Sequence, residues 1–158
     1  MNDDCLKLTT YFGERDRASG GFLADALTAV YARHELQTSL VIRGAAGFGA
    51  KQHLRTDRQL TLSEDLPLVS VAVDTRERIE SALGDVRQFD FDGLVTLERA
   101  RMLTGRVDAV ELPHEEAKLT VYVGRQERVA GRPAHEAIVD LLHRRGVAGA
   151  TVLLGVDG

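Results

Sequence analysis

Lys7 to Gly47, KLTTYFGERDRASGGFLADALTAVYARHELQTSLVIRGAAG, recurs at Lys118 to Gly158 as KLTVYVGRQERVAGRPAHEAIVDLLHRRGVAGATVLLGVDG. The offset is a constant 111 with no gap, and 12 of the 41 paired positions are identical. Chance pairing at ordinary composition gives roughly one identity in fifteen. The block is therefore a duplication, and a repeat defines the folding unit before any other feature does.

The first copy and its continuation to Leu103 read as one domain. Leu6, Leu8, Thr10 and Phe12 alternate with Lys7, Thr9 and Tyr11, which predicts a strand over Leu6 to Phe12. Gly13 to Gly21 reads as a charged loop. Phe22, Leu23, Ala26, Leu27, Val30 and Tyr31 give one apolar face to a helix over about Ser19 to Glu35, with Ser19 as N-cap. Ser39 to Arg43 is a second strand, and Leu68 to Val73 a third, with Pro67 at its start. Thr75 caps a helix to Leu83, and Gly93 to Met102 supplies a fourth strand. Between the second and third strands, Ala45 to Pro67 has no sustained apolar period, only a β-like stretch at Gln59 to Leu62. Strand, helix, strand, long excursion, strand, helix, strand is the order of an α+β, ferredoxin-like split βαβ sandwich. Both helices lie on one face of such a sheet, and the other face needs cover, usually by oligomerisation.

This domain spans residues 6–103, a polar linker follows at 104–117, and the second copy occupies 118–158. That copy is an additional βαβ half-unit: strand Lys118 to Val123, helix Pro133 to Arg145, strand Ala150 to Leu154, with Gly146 ending the helix. Its two strands flank an empty strand position, leaving backbone donors and acceptors unpaired. Completion by a matching half from another chain, or by the first domain's exposed edge, is expected; a poorly ordered or truncated segment is the alternative.

Composition narrows the function. Hydrophobic residues at 44% and charged residues at 28% suit a soluble globular protein, and a net charge of −4 argues against non-specific nucleic-acid binding. No apolar run approaches the ~20 residues of a membrane span. The acidic start, MNDDCLKL, lacks the pattern of a secretory signal, and the lone Cys5 fits a reducing cytoplasm. Cys5 reads as a strand-start hydrophobe, since no activating base lies near it in sequence.

Several segments invite chemistry. Arg43-Gly-Ala-Ala-Gly-Phe-Gly49 follows a strand but opens no amphipathic helix, so it is a loop hinge rather than a dinucleotide fingerprint. Arg43, Lys51, Arg55 and Arg58 face one acid, Asp57, in the same stretch, an excess suited to phosphate or carboxylate recognition or simply to a solvated loop. Gly13 to Arg17 and Gly124 to Arg128 both keep a glycine, an acid and an arginine; an acid–Arg pair locking the turn is favoured over a ligand contact, with Arg17 the weaker ligand candidate. The five histidines show no metal-ligand spacing, and no catalytic constellation is present, so no enzyme is expected.

The run GERDR, then GAAGFG, then RTDRQLTLSEDLPLVSVAVD, then GLVTLERARM resembles a bacterial PII-like family, domain of unknown function 190. The resemblance implies a trimer like PII signalling proteins, with the excursion as the T-loop that contacts protein partners and adenine nucleotides bound between subunits. Where that pattern suggests a His-Thr pair in the loop, this chain has Arg55-Thr56. On this reading Arg43, Gly44, Gly47, Gly49, Arg55 and Arg58 serve the loop, and Ala45 to Leu66 signals to a protein partner. A ligand-free assembly protein is the alternative. A cation-binding module, suggested by likeness to trimeric metal-tolerance proteins, is disfavoured by the histidine spacing.

Overall fold

Alternation along the first strand puts Leu6, Leu8, Thr10 and Phe12 on one side, and the core forms there. The computed structural model describes residues 2–48, 54–56, 66–103 and 118–158, with side chains described over 4–45, 66–103 and 118–158. In chain order the elements are β1 (Asn2–Gly13), β2 (Arg17–Ala18), β3 (Gly21–Phe22), α1 (Leu23–Arg33), β4 (Thr38–Arg43), β5 (Ala46–Phe48) and β6 (Leu54–Thr56). There follow β7 (Pro67–Thr75), α2 (Arg76–Val86), β8 (Leu94–Met102), β9 (Arg128–Val129), β10 (Arg132–Pro133), α3 (Ala134–Arg144) and β11 (Gly155–Asp157). They fall into two units, Met1–Val107 with Gly155–Gly158, and Asp108–Leu154.

The first unit holds one sheet in the order β11-β4-β7-β1-β8, with every neighbouring pair antiparallel. Setting β11 aside, β7 lies between β1 and β4, and β1 between β7 and β8, so each helix connects two parallel strands across a one-strand gap. This is the ferredoxin-like arrangement. α1 and α2 cover one face, with Leu23, Leu27, Val30 and Tyr31 of α1 and Ile79, Ala82 and Val86 of α2 packed on Leu6, Leu8, Phe12, Leu68 and Ala72. The Tyr31 phenol is pushed up by burial, and the Ser70 hydroxyl, donating at 3.4 Å, offsets part of that shift. On the opposite face Cys5, Thr9, Val71 and Val73 are also buried within the single chain, whereas Tyr11 and Leu94 at its end are exposed.

Polar contacts fasten the helices. The Thr75 side chain accepts from the Arg78 amide, the N-cap expected there. The buried Asp74 carboxylate accepts from the amides of Gln37 (2.7 Å) and Thr75 (2.6 Å), tying the α1–β4 connection to the start of α2. The far ends of the two helices meet where the His34 ring nitrogen Nε2 lies 2.9 Å and Arg33 3.3 Å from the Asp85 carboxylate. The His34 hydrogen bond, and then the Arg33 charge, hold that carboxyl below the usual range.

Two expectations need correction. Ser19 does not cap α1; the helix begins at Leu23 after Phe22, with no side-chain cap. Ser19 (φ 51°) and Gly20 (φ 84°) instead form the tip of the β2–β3 hairpin, whose two left-handed residues match the twist of short antiparallel strands. Ala130 (φ 50°) and Gly131 (φ 81°) do the same for the β9–β10 hairpin of the second unit. Secondly, Lys118 to Val123 and Ala150 to Leu154 form no strands. A strand is defined by its neighbour, and among the described residues none pairs with either segment. Leu119, Val121, Leu153 and Leu154 are accordingly exposed. α3 repeats the expected apolar face, but only its Ala134 is buried. The β-like stretch at 59–62 and the linker at 104–117 lie outside the described residues.

Burial separates the copies energetically. Leu27→Ala, at a side chain with 0% exposure, is expected to lower unfolding free energy by about 2–5 kcal/mol. Leu141→Ala, at a side chain 46% exposed, is expected to cost about 0.5 kcal/mol or less in the same urea titration. The Asp85 contribution has a definite sign. A carboxyl whose folded pKa is depressed stabilises fully above the unfolded value of about 3.9, and this is lost as pH falls through the folded value. Asp85→Asn should therefore lower the melting temperature at neutral pH, and the difference from the parent should close on strong acidification.

Candidate functional site

Register decides what surrounds the base of the excursion. β7 starts at Pro67, opposite Gly13 of β1, while Leu68 lies opposite Arg43 of β4. The chain ends leaving β1 and β4 thus straddle the point where the excursion returns to the sheet. Three contacts close this root. The Glu14 amide donates to the Leu66 carbonyl at 2.8 Å, the Gly44 amide donates to the Pro67 carbonyl at 2.8 Å, and the Arg43 guanidinium pairs with the Glu14 carboxylate. Gly44 suits the close approach, because a Cβ there would lie 3.0 Å from Pro67 Cγ and 3.3 Å from its carbonyl oxygen, so that Pro67 would have to give slightly. The ion pair is 49% and 32% exposed, so it holds the root by about 0–1 kcal/mol and leaves Arg43 available to a stronger anion.

The other candidate residues are distributed unevenly. Gly47 and Arg55 are brought together, opposite each other in the β5–β6 hairpin that begins the excursion. That hairpin has no apolar period in the sequence, being short and glycine-bearing. Gly49 and Arg58 lie outside the described residues. Arg17 is placed elsewhere, with its guanidinium 3.8 Å over the Phe22 ring, a cation–π contact within the β2–β3 hairpin.

The expected acid–Arg lock of the turn takes a different form. Asp16 accepts from the Gly13 amide at 2.8 Å through its side chain, its own amide donates to the Gly13 carbonyl, and its carbonyl accepts from Leu23. Glu127 makes the same backbone bonds to Gly124 and Ala134 in the second copy, so the turn itself is repeated. Glu14 was missed as a site residue. The available signal was its difference between copies: Glu14 and Arg43 correspond to Arg125 and Leu154, so both members of the pair are exchanged together.

An apolar recess of about 230 Å³ lies apart from the root, between the end of α2 and β8, lined by Leu83, Val86, Phe89, Phe91, Val95 and Leu97 together with Arg87. Apolar side chains make up most of its lining, and Arg87 is its one charged member. Among the described residues no group of three or more His, Cys, Asp or Glu could hold a metal ion, and no helix is long and apolar enough to cross a membrane.

A ferredoxin-like sheet with a long excursion rooted between its second and third strands, followed by a partial repeat of its first half, is the architecture of this chain. The chain belongs to the DUF190 family, described as "Uncharacterized ACR, COG1993", whose model matches residues 5–102 and again 116–158. Two solved structures are similar to it. Both are of CPII, a nitrogen regulatory PII-like protein from Thiomonas intermedia K12, one bound to ADP, AMP and bicarbonate and the other to ADP and bicarbonate. The identities are 13% and 12% and the TM-scores 0.44 and 0.41, each over 60% of this chain and 83% of that chain.

Gly44→Val should strain the root. The expected result is a loss of about 1–3 kcal/mol and faster hydrogen exchange at Glu14 and residue 44, whereas Glu14→Gln should change stability by at most about 1 kcal/mol.

Proposed function

We propose that this chain is a regulatory module, not an enzyme, in which a small anionic effector bound at the loop root sets the state of the 45–66 excursion. The observation that carries this reading is the clasp of Glu14, Arg43, Gly44, Leu66 and Pro67. It joins both stems of the excursion to the ends of two strands and places there an arginine paired with the half-buried Glu14 carboxylate. Guanidinium pairs bidentately with phosphate or carboxylate groups, so an effector oxyanion competes directly with Glu14 for Arg43. Effector contacts made in only one state of the root shift its population, and a protein partner reads that shift. Arg55 and Arg58 with Gly47 and Gly49 supply further loop contacts, and Arg17 is a peripheral contributor.

The motif resemblance to PII-like proteins makes an adenine nucleotide the first effector class to test, bound between the subunits of a cytoplasmic homotrimer. A second reading, assembly without a ligand, draws on the apolar residues exposed in 118–123 and 150–154. Titration calorimetry with ATP, ADP, AMP and cyclic nucleotides separates the two. Effector regulation requires saturable binding by at least one of them. Arg43→Ala should weaken that binding by about tenfold or more, and Glu14→Gln should tighten it. Absence of heat across the panel, with an unchanged subunit count by native mass spectrometry, would favour assembly alone.

A further inference from the structure

The edges of a sheet expose unpaired backbone donors and acceptors, and a second copy can pair with them unless something blunts the edge. The first unit blunts its two edges differently. β8 carries the exposed charges Glu98, Arg99 and Arg101, with Glu98 bonded to Lys7. β4 reads Thr-Ser-Leu-Val-Ile-Arg, and its single charge, Arg43, is paired with Glu14. It has neither proline nor lysine. Its outer side is covered instead by β11, Gly155 opposite Ile42 and Asp157 opposite Val41, with an irregularity between.

The fit of this cover is specific but slight. A Cβ on Gly158 would lie 2.6 Å from the Ser39 carbonyl oxygen and 3.0 Å from Leu40 Cα, so only glycine lets the segment lie flush on β4. At Gly155 a Cβ would make ordinary contact, 3.5 Å from the Val41 oxygen. Val156 is 54% exposed, so little apolar surface is buried along with the backbone pairing. The seat is a short backbone ladder with little apolar burial behind it.

We propose that Gly155–Gly158 is an edge guard: it occupies the β4 backbone, and when it lifts, β4 pairs with β4 of a second copy of this chain. The occupant follows from the edge itself. An antiparallel, two-fold pairing centred on Val41 sets Val41 opposite Val41, Leu40 opposite Ile42 and Ser39 opposite Arg43 of the other copy. No like charges face each other, and Leu40 and Ile42 of both copies meet on one face of the joined sheet. Such a contact is isologous and closes after one step, so it doubles whatever assembly the guarded chain forms rather than growing a fibre. The inference requires no effector.

The test uses the full 158-residue chain. Val156→Pro with Gly158→Val removes a backbone donor and places a side chain against Ser39, and Gly158→Val alone disturbs only the seat. In sedimentation velocity over a concentration series, the double variant is expected to double in subunit number at a concentration on the order of tenfold lower than the parent. Protection of the β4 amides is expected to persist, those that faced the guard having exchanged one strand partner for another. Gly158→Val alone should shift the same way by less, and adding Ile42→Lys to the double variant should abolish the doubling. The proposal is overturned if the β4 amides exchange faster while both guard variants keep the parent's subunit number. Doubling that survives Ile42→Lys overturns it equally.

Discussion

The pairing of β7 between β1 and β4 is the constraint that organises the first unit. Each βαβ half has a gap between its parallel strands, and each gap is filled by the central strand of the other half. That interleaving satisfies the backbone of both halves and brings α1 and α2 onto one face, where Leu8, Leu23, Leu27 and Ile79 are excluded from water. It also brings Gly13, Arg43 and Pro67 to one corner of the sheet. The loop root is thus a consequence of register: no local sequence feature could assemble Glu14, Arg43 and Pro67 without it.

The second copy illustrates the same constraint by contrast. Its local geometry is intact. The turn bonds of Glu127, the left-handed Ala130-Gly131 pair and α3 reproduce their counterparts in the first copy. The strand segments are not reproduced, because their hydrogen bonds belong to partners far away in sequence. Turns and helices are specified within a few residues, whereas a strand needs a neighbour. The duplication therefore carries over what is local and leaves exposed what is not. The exception is the segment just past Leu154, Gly155–Asp157, which finds a partner in the outer side of β4.

This division also explains what was legible in the sequence. The four strands of the first unit, α2 with its Thr75 cap, and the position of the long excursion follow from periodicity and capping, and the family follows from the motifs. Ser19 misled because a Ser before an apolar period is an N-cap signal, and only the pairing of Arg17 with Phe22 reveals a hairpin there. The β5–β6 hairpin was invisible because three-residue strands carry too few side chains to establish a period. Arg43 was recognisable as a cation beside glycines, but its partner Glu14 sits 29 residues earlier, in a turn whose charges look interchangeable. Asp16 and Arg17, in the same turn, serve the backbone and an aromatic ring.

In the proposed mechanism the excursion is controlled at its root, where an effector oxyanion replaces Glu14 as the partner of Arg43. Hydrogen–deuterium exchange with and without ATP, read at residues 14, 43–44 and 66–67, is the decisive measurement. Protection at these three places is expected to change together on addition of nucleotide, and the change should be lost in Arg43→Ala. Nucleotide binding that leaves all three unchanged, with effects confined to other parts of the chain, would rule this mechanism out.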